Sequence, residues 1–252
     1  MKLFFKKSIC YIFLLFYVIN YAQESSSFVI YKKKANTNIV GTNSNHQKRT
    51  AAKLLIENAI KNLDNLEYKL LYNNELSSFS EIESLEIDNG NNSISTILSK
   101  SFGDTEGVFY SNIKEQNLLI EKELDGRIFL VKTKFSDFKW DVTSDQKKIG
   151  NYNCYKAVRT YTRVTVSGEK QMPVIAWFAP EIPYSFGPAS YLGLPGLVLE
   201  VEVDNIVIYA SKIFLNQKEK QVITIPKKGK IISEKEYNEF EKNGFDQFKS
   251  FN

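Results

Sequence analysis

Residues 191–203 read YLGLPGLVLEVEV, and this stretch decides the fold class. Its second half alternates: Leu197, Leu199, Val201 and Val203 are apolar, with Glu200 and Glu202 between them. Strict alternation marks a strand with one face on a core and the other in water. The first half is a stiff corner. In Leu194-Pro195-Gly196-Leu197, Pro195 presets φ and Gly196 supplies a positive φ, which predicts a type II turn. Leu194 precedes a proline and is pushed to an extended conformation, and Gly193 adds freedom before the turn. The corner therefore launches the strand 197–203 at a fixed angle.

The same β grammar extends in both directions. Asp204-Asn205 makes a two-residue hairpin loop to a strand over 206–215. Upstream, Asp125-Gly126 joins runs 118–123 and 128–135 in the same way. Further strands are expected over 27–34, 67–73, 108–113, 149–166, 172–178 and 222–225. In the run after Ile149, Cys154, Val158, Val164 and Val166 fall on one face, and Tyr155, Arg159, Tyr161 and Arg163 on the opposite face. One early segment has a different period. Ala52, Leu55, Ala59, Leu63 and Leu66 recur at spacings of three and four, which predicts an amphipathic helix over 46–66 with Asn45 as N-cap. Residues 77–107, rich in Ser, Asn and acids, read as a weakly structured excursion. Near the C-terminus Pro226 ends the β pattern, a basic KKGK loop follows, and Ser233 with Glu236 forms a capping box for a short helix ending near residue 243. No βαβ alternation is present. The expected fold is α+β, mainly β. It is an open antiparallel half-barrel sheet of the lipoprotein-carrier type, with one long N-terminal helix over its concave face and a short C-terminal helix.

The first 22 residues read as a signal peptide: Lys2, Lys6 and Lys7 precede an apolar run from Ile9 to Ile19, and Ala22 precedes Gln23. The run is too short to span a bilayer, and no later segment is longer. Residues 23–225 are then the β-rich domain, and 226–252 the basic loop and C-terminal helix. The expected location is periplasmic or secreted. It is not lipid-anchored, because the cleavage point carries Gln23 and Cys10 lies inside the apolar run. The full chain carries 33 basic and 29 acidic residues. Three of the bases lie before residue 23, so the remainder has 30 against 29, a net charge of +1. That balance argues against nucleic acid as a partner. Of two cysteines, only Cys154 lies beyond the signal peptide, so no intramolecular disulfide is expected, and it reads as a small buried hydrophobe.

Three motifs occur in order: IGNYNCYKA over 149–157, WFAPEIP over 177–183 running into Gly187-Pro188, and GLPGLV over 193–198. Together they resemble the GLPGLI family, a group of exported proteins of Gram-negative bacteria. The one departure in the signature is Val198 in place of isoleucine. The resemblance implies an exported, β-rich body and a relation to receptor-coupled uptake at the outer membrane; it implies no catalytic residues.

Two readings of the signature block stay open. In one, Gly187, Pro188, Gly193, Leu194, Pro195, Gly196 and Leu197 form a rigid corner that sets strand register. In the other, Trp177, Glu181, Tyr184, Phe186, Tyr191 and Leu192 line the rim of an apolar pocket on a stiff, low-entropy loop. No catalytic constellation is legible. The single histidine, His46, has no nucleophile elbow to serve, and His46 with Cys154 is too small a donor set for zinc. No phosphate loop or dinucleotide fingerprint is present, so no cofactor and no metal are expected. Glu181, held between Pro180 and Pro183, is the one carboxylate that merits mutation.

These features point to a non-enzymatic periplasmic binding or carrier module for an apolar small molecule, a lipid or a partner segment. A second reading is an accessory protein docking to an outer-membrane receptor of the TonB-dependent type, by a β edge or a basic C-terminal helix. A third is a carboxylate-based hydrolase using Glu181.

Overall fold

A computed structural model of the chain describes residues 26–36, 51–83, 94–165, 168–219 and 221–250. The expected signal peptide, Asn45, His46 and the start of the early helix lie outside the described residues. Twelve strands form one sheet: β1 (Ser26–Ala35), β2 (Glu67–Tyr72), β3 (Leu76–Glu81), β4 (Val108–Asn112), β5 (Asn117–Leu124), β6 (Arg127–Lys134), β7 (Asp141–Ile149), β8 (Tyr152–Thr165), β9 (Gly168–Ala179), β10 (Leu197–Val203), β11 (Ile206–Gln217) and β12 (Lys230–Ser233). Their spatial order is β12-β6-β5-β4-β3-β2-β1-β11-β10-β9-β8-β7. All neighbours are antiparallel except β12, which lies parallel to β6. The mainly β, open antiparallel architecture expected from alternation is the one observed.

Register explains the core. Val29, Leu70, Phe79, Phe109, Ile120, Val131 and Ile232 stand side by side across seven strands, and all are buried. A second row runs Ile208, Val201, Ala176 and Ala157 across β11 to β8. Both rows face the concave side. Each buried Val, Leu, Ile or Phe contributes roughly 1.5–3 kcal/mol of transfer free energy, so the rows hold the sheet in one register. Asp125 and Gly126, with φ of 51° and 71°, close the β5–β6 hairpin. Asp204 and Asn205, at 50° and 61°, close β10–β11. Both are the two-residue loops expected.

The helices depart from expectation. The early helix is α1 (Ala51–Asn62), continued by a 3-10 turn over Leu63–Asn65. The stretch 77–107 is not weakly structured throughout: it contributes β3 and a second helix, α2 (Ile94–Ser101). Helix α1 links β1 to β2 and α2 links β3 to β4, so both sit at one end of the sheet, where they pack on each other. The early helix therefore does not cover the concave face. Helix α3 (Glu234–Ser250), at 17 residues, is longer than α1 and packs against both β6 and β8, bridging the concave side. Its start is the expected capping box: the Ser233 backbone N–H donates to Glu236 Oε2 at 2.7 Å, and the Glu236 N–H donates to Ser233 Oγ at 3.2 Å. The strand expected over 222–225 is absent. Pairing instead begins at Lys230, beyond the basic loop, where β12 reaches β6. Strand β7 has no counterpart among the expected strands, because residues 141–149 alternate weakly and most are exposed.

Candidate functional site

The proline-rich segment between β9 and β10 folds back into the concave face. The Gly193 N–H donates to the Ser185 carbonyl at 2.9 Å, Val198 N–H to Phe186 at 3.0 Å, and Leu197 N–H to Ile182 at 2.9 Å. The type II turn expected at Pro195 is not formed. The Gly196 N–H donates to the Leu194 carbonyl at 2.8 Å, a three-residue turn centred on Pro195, and Leu197 spends its N–H on Ile182 instead. Gly196 has φ +152°, and a Cβ there would lie 2.4 Å from the Ala179 carbonyl oxygen. Gly187 is packed as tightly: its Cβ would fall 2.0 Å from the Tyr191 carbonyl oxygen. The corner is rigid because backbone meets backbone.

The structure separates the residues nominated for a pocket rim. Phe186, Tyr191 and Leu192 are buried in the core. Phe186 packs on Tyr72 at 5.8 Å between ring centroids, and the Tyr191 hydroxyl donates to the Gly103 carbonyl at 3.2 Å. Tyr184 lies beside Tyr72 at 5.0 Å and stays partly exposed. Trp177 points the other way. It sits on the outer face of β9, under Lys147 at 4.3 Å, and Lys147 is paired with Glu200 at 2.5 Å. Glu181 is exposed and accepts from the Asn153 backbone N–H at 3.0 Å. Of the signature residues, Gly187, Pro188, Leu194, Gly196 and Leu197 are buried, while Gly193 and Pro195 face solvent. Gly193 and Ser185 border a shallow cleft of about 550 Å³ with Phe135, Lys132 and Lys134.

A cleft of about 570 Å³ lies on the concave side between α3 and strands β4, β5, β6 and β8. Its apolar lining is Phe109, Ile120, Phe138 and Tyr237. Its polar lining comes from the β8 row Arg159, Tyr161 and Arg163, with Asp104 opposite. Arg163 is fully paired, to Asp104 at 2.7 Å and Asp204 at 3.0 Å, and the Tyr161 hydroxyl also donates to Asp104. Burial raises the Tyr161 hydroxyl well above its ordinary pKa, and the Asp104 charge adds to the shift. The Glu241 carboxyl on α3 is raised by burial, opposed by Lys122. Lys122 in turn lies over the Tyr237 ring at 5.2 Å. The helix itself, over 234–250, carries five acids and three bases, so it is not the basic surface expected.

The two faces of β8 are those read from its alternation, which by itself does not say which one turns inward. Tyr155, Ala157 and Arg159 stand opposite Phe178, Ala176 and Val174, and these last three are buried with Ala157, so this is the concave row. The aromatic residues within that row, and Ala157, were the available signal. Lys33 was missed for a different reason. It is fully buried, and its ammonium donates to the carbonyls of Ser99, Lys100 and Phe102 at 3.3, 3.0 and 2.7 Å, closing the C-terminal end of α2. Burial lowers its pKa to about 7, opposed by Glu81, Asp104 and Glu106. Cys154 is buried, as expected for a small hydrophobe, and burial pushes its thiol up to about 11.

Among the described residues no cluster of three His, Cys, Asp or Glu side chains is arranged to hold a metal ion. No helix among them is long and apolar enough to cross a membrane.

Residues 163–200 match the model of a family described as a protein of unknown function (Porph_ging). No curated protein sequence matches the chain. Among solved structures the chain is similar to PNGF-II, in a P21 and a C2 crystal form, at TM-score 0.49 and 15% and 14% identity. That likeness covers 85% of this chain and 32% of PNGF-II, so the chain spans about a third of that protein's length. It is also similar to LprF from Mycobacterium bovis at TM-score 0.26 and 9% identity, covering 82% of this chain and 90% of that one.

Proposed function

We propose that the protein is a non-enzymatic binding module of the periplasm, exported by its N-terminal segment, and that its ligand site is the cleft between α3 and the concave sheet. We also read the chain as a GLPGLI protein; the matched stretch 163–200 contains both WFAPEIP and GLPGLV, which supports that reading. One observation carries the binding proposal. The concave face is filled on its β9–β10 side by residues 180–196, yet about 570 Å³ stays open beneath α3, within the range of small-molecule sites. The cleft joins an apolar floor of Phe109, Ile120 and Tyr237 to a charged wall, so it suits an amphipathic molecule whose apolar part lies on the floor.

Titration of the folded chain with the neutral fluorescent probe N-phenyl-1-naphthylamine tests this. Asn238 lines the cleft from α3 and is only half-buried, so Asn238→Trp fills the space without disturbing the core. The expected result is saturable binding weakened at least tenfold by that change. Absence of binding by the folded wild type, or equal binding by the variant, removes the cleft as the site.

A further inference from the structure

Within the cleft the charged groups are balanced, with one half-buried exception. Arg163 has Asp104 and Asp204; Lys122 faces Glu241. Glu106, Glu123, Asp137, Glu234 and Lys139 also border the cleft, but all five are exposed to solvent and screened. Arg159 is held differently. Its guanidinium carbon lies 4.8 Å from the Trp140 ring, 4.9 Å from Phe138 and 5.4 Å from Tyr191. Among the described residues one protein acceptor serves its five N–H groups, the Ser190 carbonyl at 3.2 Å, and no carboxylate pairs with it. Its Nε is buried without a partner.

Aromatic faces stabilise a cation by about 0.5–2 kcal/mol each but accept no in-plane hydrogen bond. The guanidinium cannot shed its charge at any ordinary pH. Burial of such a group without an anion costs several kcal/mol. Three rings lie against it and its side chain lines the cleft; the paired N–H groups of a guanidinium match the two oxygens of a carboxylate.

We propose that Arg159 is the anion-recognition residue of the cleft and that the ligand is a carboxylate-headed amphiphile, its head on the Arg159 edge and its chain over Phe109 and Ile120. This rests on the cleft being the binding site.

The test compares dodecanoate, dodecanol and dodecyltrimethylammonium, each below its aggregation concentration, on the full chain. Trp140 is the reporter: it lies beside Arg159 and its Nε1–H donates to the Leu192 carbonyl at 2.9 Å. Trp177→Phe, on the outer face, removes the second tryptophan signal. The expected result is dodecanoate binding at least tenfold tighter than dodecanol, with the ammonium weakest. Arg159→Met should bring dodecanoate down to the dodecanol level and leave dodecanol unchanged, and Arg159→Lys should fall between. Equal affinity for dodecanoate and dodecanol in the wild type overturns the role of Arg159 while leaving the cleft reading intact. That head-group comparison needs no variant, so misfolding of Arg159→Met cannot rescue the idea. If none of the three probes binds, the cleft reading falls, and the anion inference with it.

Discussion

The Tyr31 hydroxyl donates to the Val198 carbonyl at 2.6 Å, fully buried, tying the first described strand to the start of β10 across 167 residues of chain. It fixes the end of the Pro195 corner to β1, which lies beyond β11 in the sheet. Tyr31→Phe leaves the packing volume nearly unchanged but strands a buried carbonyl. The expected loss is about 1–3 kcal/mol of unfolding free energy, read by urea denaturation with an unchanged m-value. No loss would mean that the corner is held by packing alone.

Gly187 has no room for a side chain. A methyl group there would meet the Tyr191 carbonyl oxygen at 2.0 Å and the Val198 Cβ at 2.8 Å, neither of which is a flexible tip. Gly187→Ala should therefore cost more than about 3 kcal/mol or prevent folding, among the larger effects of single substitutions. Thermal unfolding monitored by circular dichroism measures it, and a melting temperature within a few degrees of wild type would contradict this close approach.

The pH dependence of stability should have two limbs. Lys33 is held near pKa 7 in the fold and returns to about 10.4 when unfolded. Between those values the unfolded state binds the extra proton, so stability rises with pH over that window. Above pH 10 the sign reverses. Burial raises the hydroxyls of Tyr31, Tyr68, Tyr72, Tyr161 and Tyr191, which then keep protons that the unfolded chain has lost. Denaturation midpoints from pH 6.5 to 11 should show a maximum near pH 10. Lys33→Met should flatten the rising limb only; a rise that persists in this variant would place its source elsewhere.

Cys154 should be inert in the folded protein. Its thiol is buried and raised to about 11, so little thiolate forms at pH 8. Alkylation by iodoacetamide, read at Cys154 by peptide mass spectrometry, should be at least a hundredfold slower than in urea. Comparable rates would reveal an accessible thiol.

Glu181→Gln should leave both probe binding and stability essentially unchanged, within about 0.5 kcal/mol. The carboxylate is exposed, and its protein partner is Asn153 on the neighbouring strand pair. A strong loss of any hydrolytic activity in that variant, with folding intact, would bring back the carboxylate-hydrolase reading.

Much of the sheet was legible because local chemistry specifies it. Leu197 to Val203 alternates cleanly, and Asp125-Gly126 and Asp204-Asn205 adopt positive φ with little penalty, so strands and hairpins follow from a few adjacent residues. The Ser233–Glu236 box is equally local. The candidate site was less legible. Trp177 and Phe178 look alike in sequence, yet successive strand residues point to opposite faces, so one sits in the core and the other under Lys147. The proline-rich loop reads as a stiff surface feature until its aromatics are seen to enter the half-barrel.

What the sequence alone determined is period and punctuation: where strands run, where they turn, and that apolar residues must meet. Which side of β8 faces inward was decided only by tertiary structure, because a period of two has no intrinsic inside. Arg159 turns inward only because Phe138 and Trp140 from the segment before β7, and Tyr191 from the segment before β10, surround its guanidinium. Lys33 is buried only because the carbonyls that end α2, 66 to 69 residues away, replace the water its ammonium gives up.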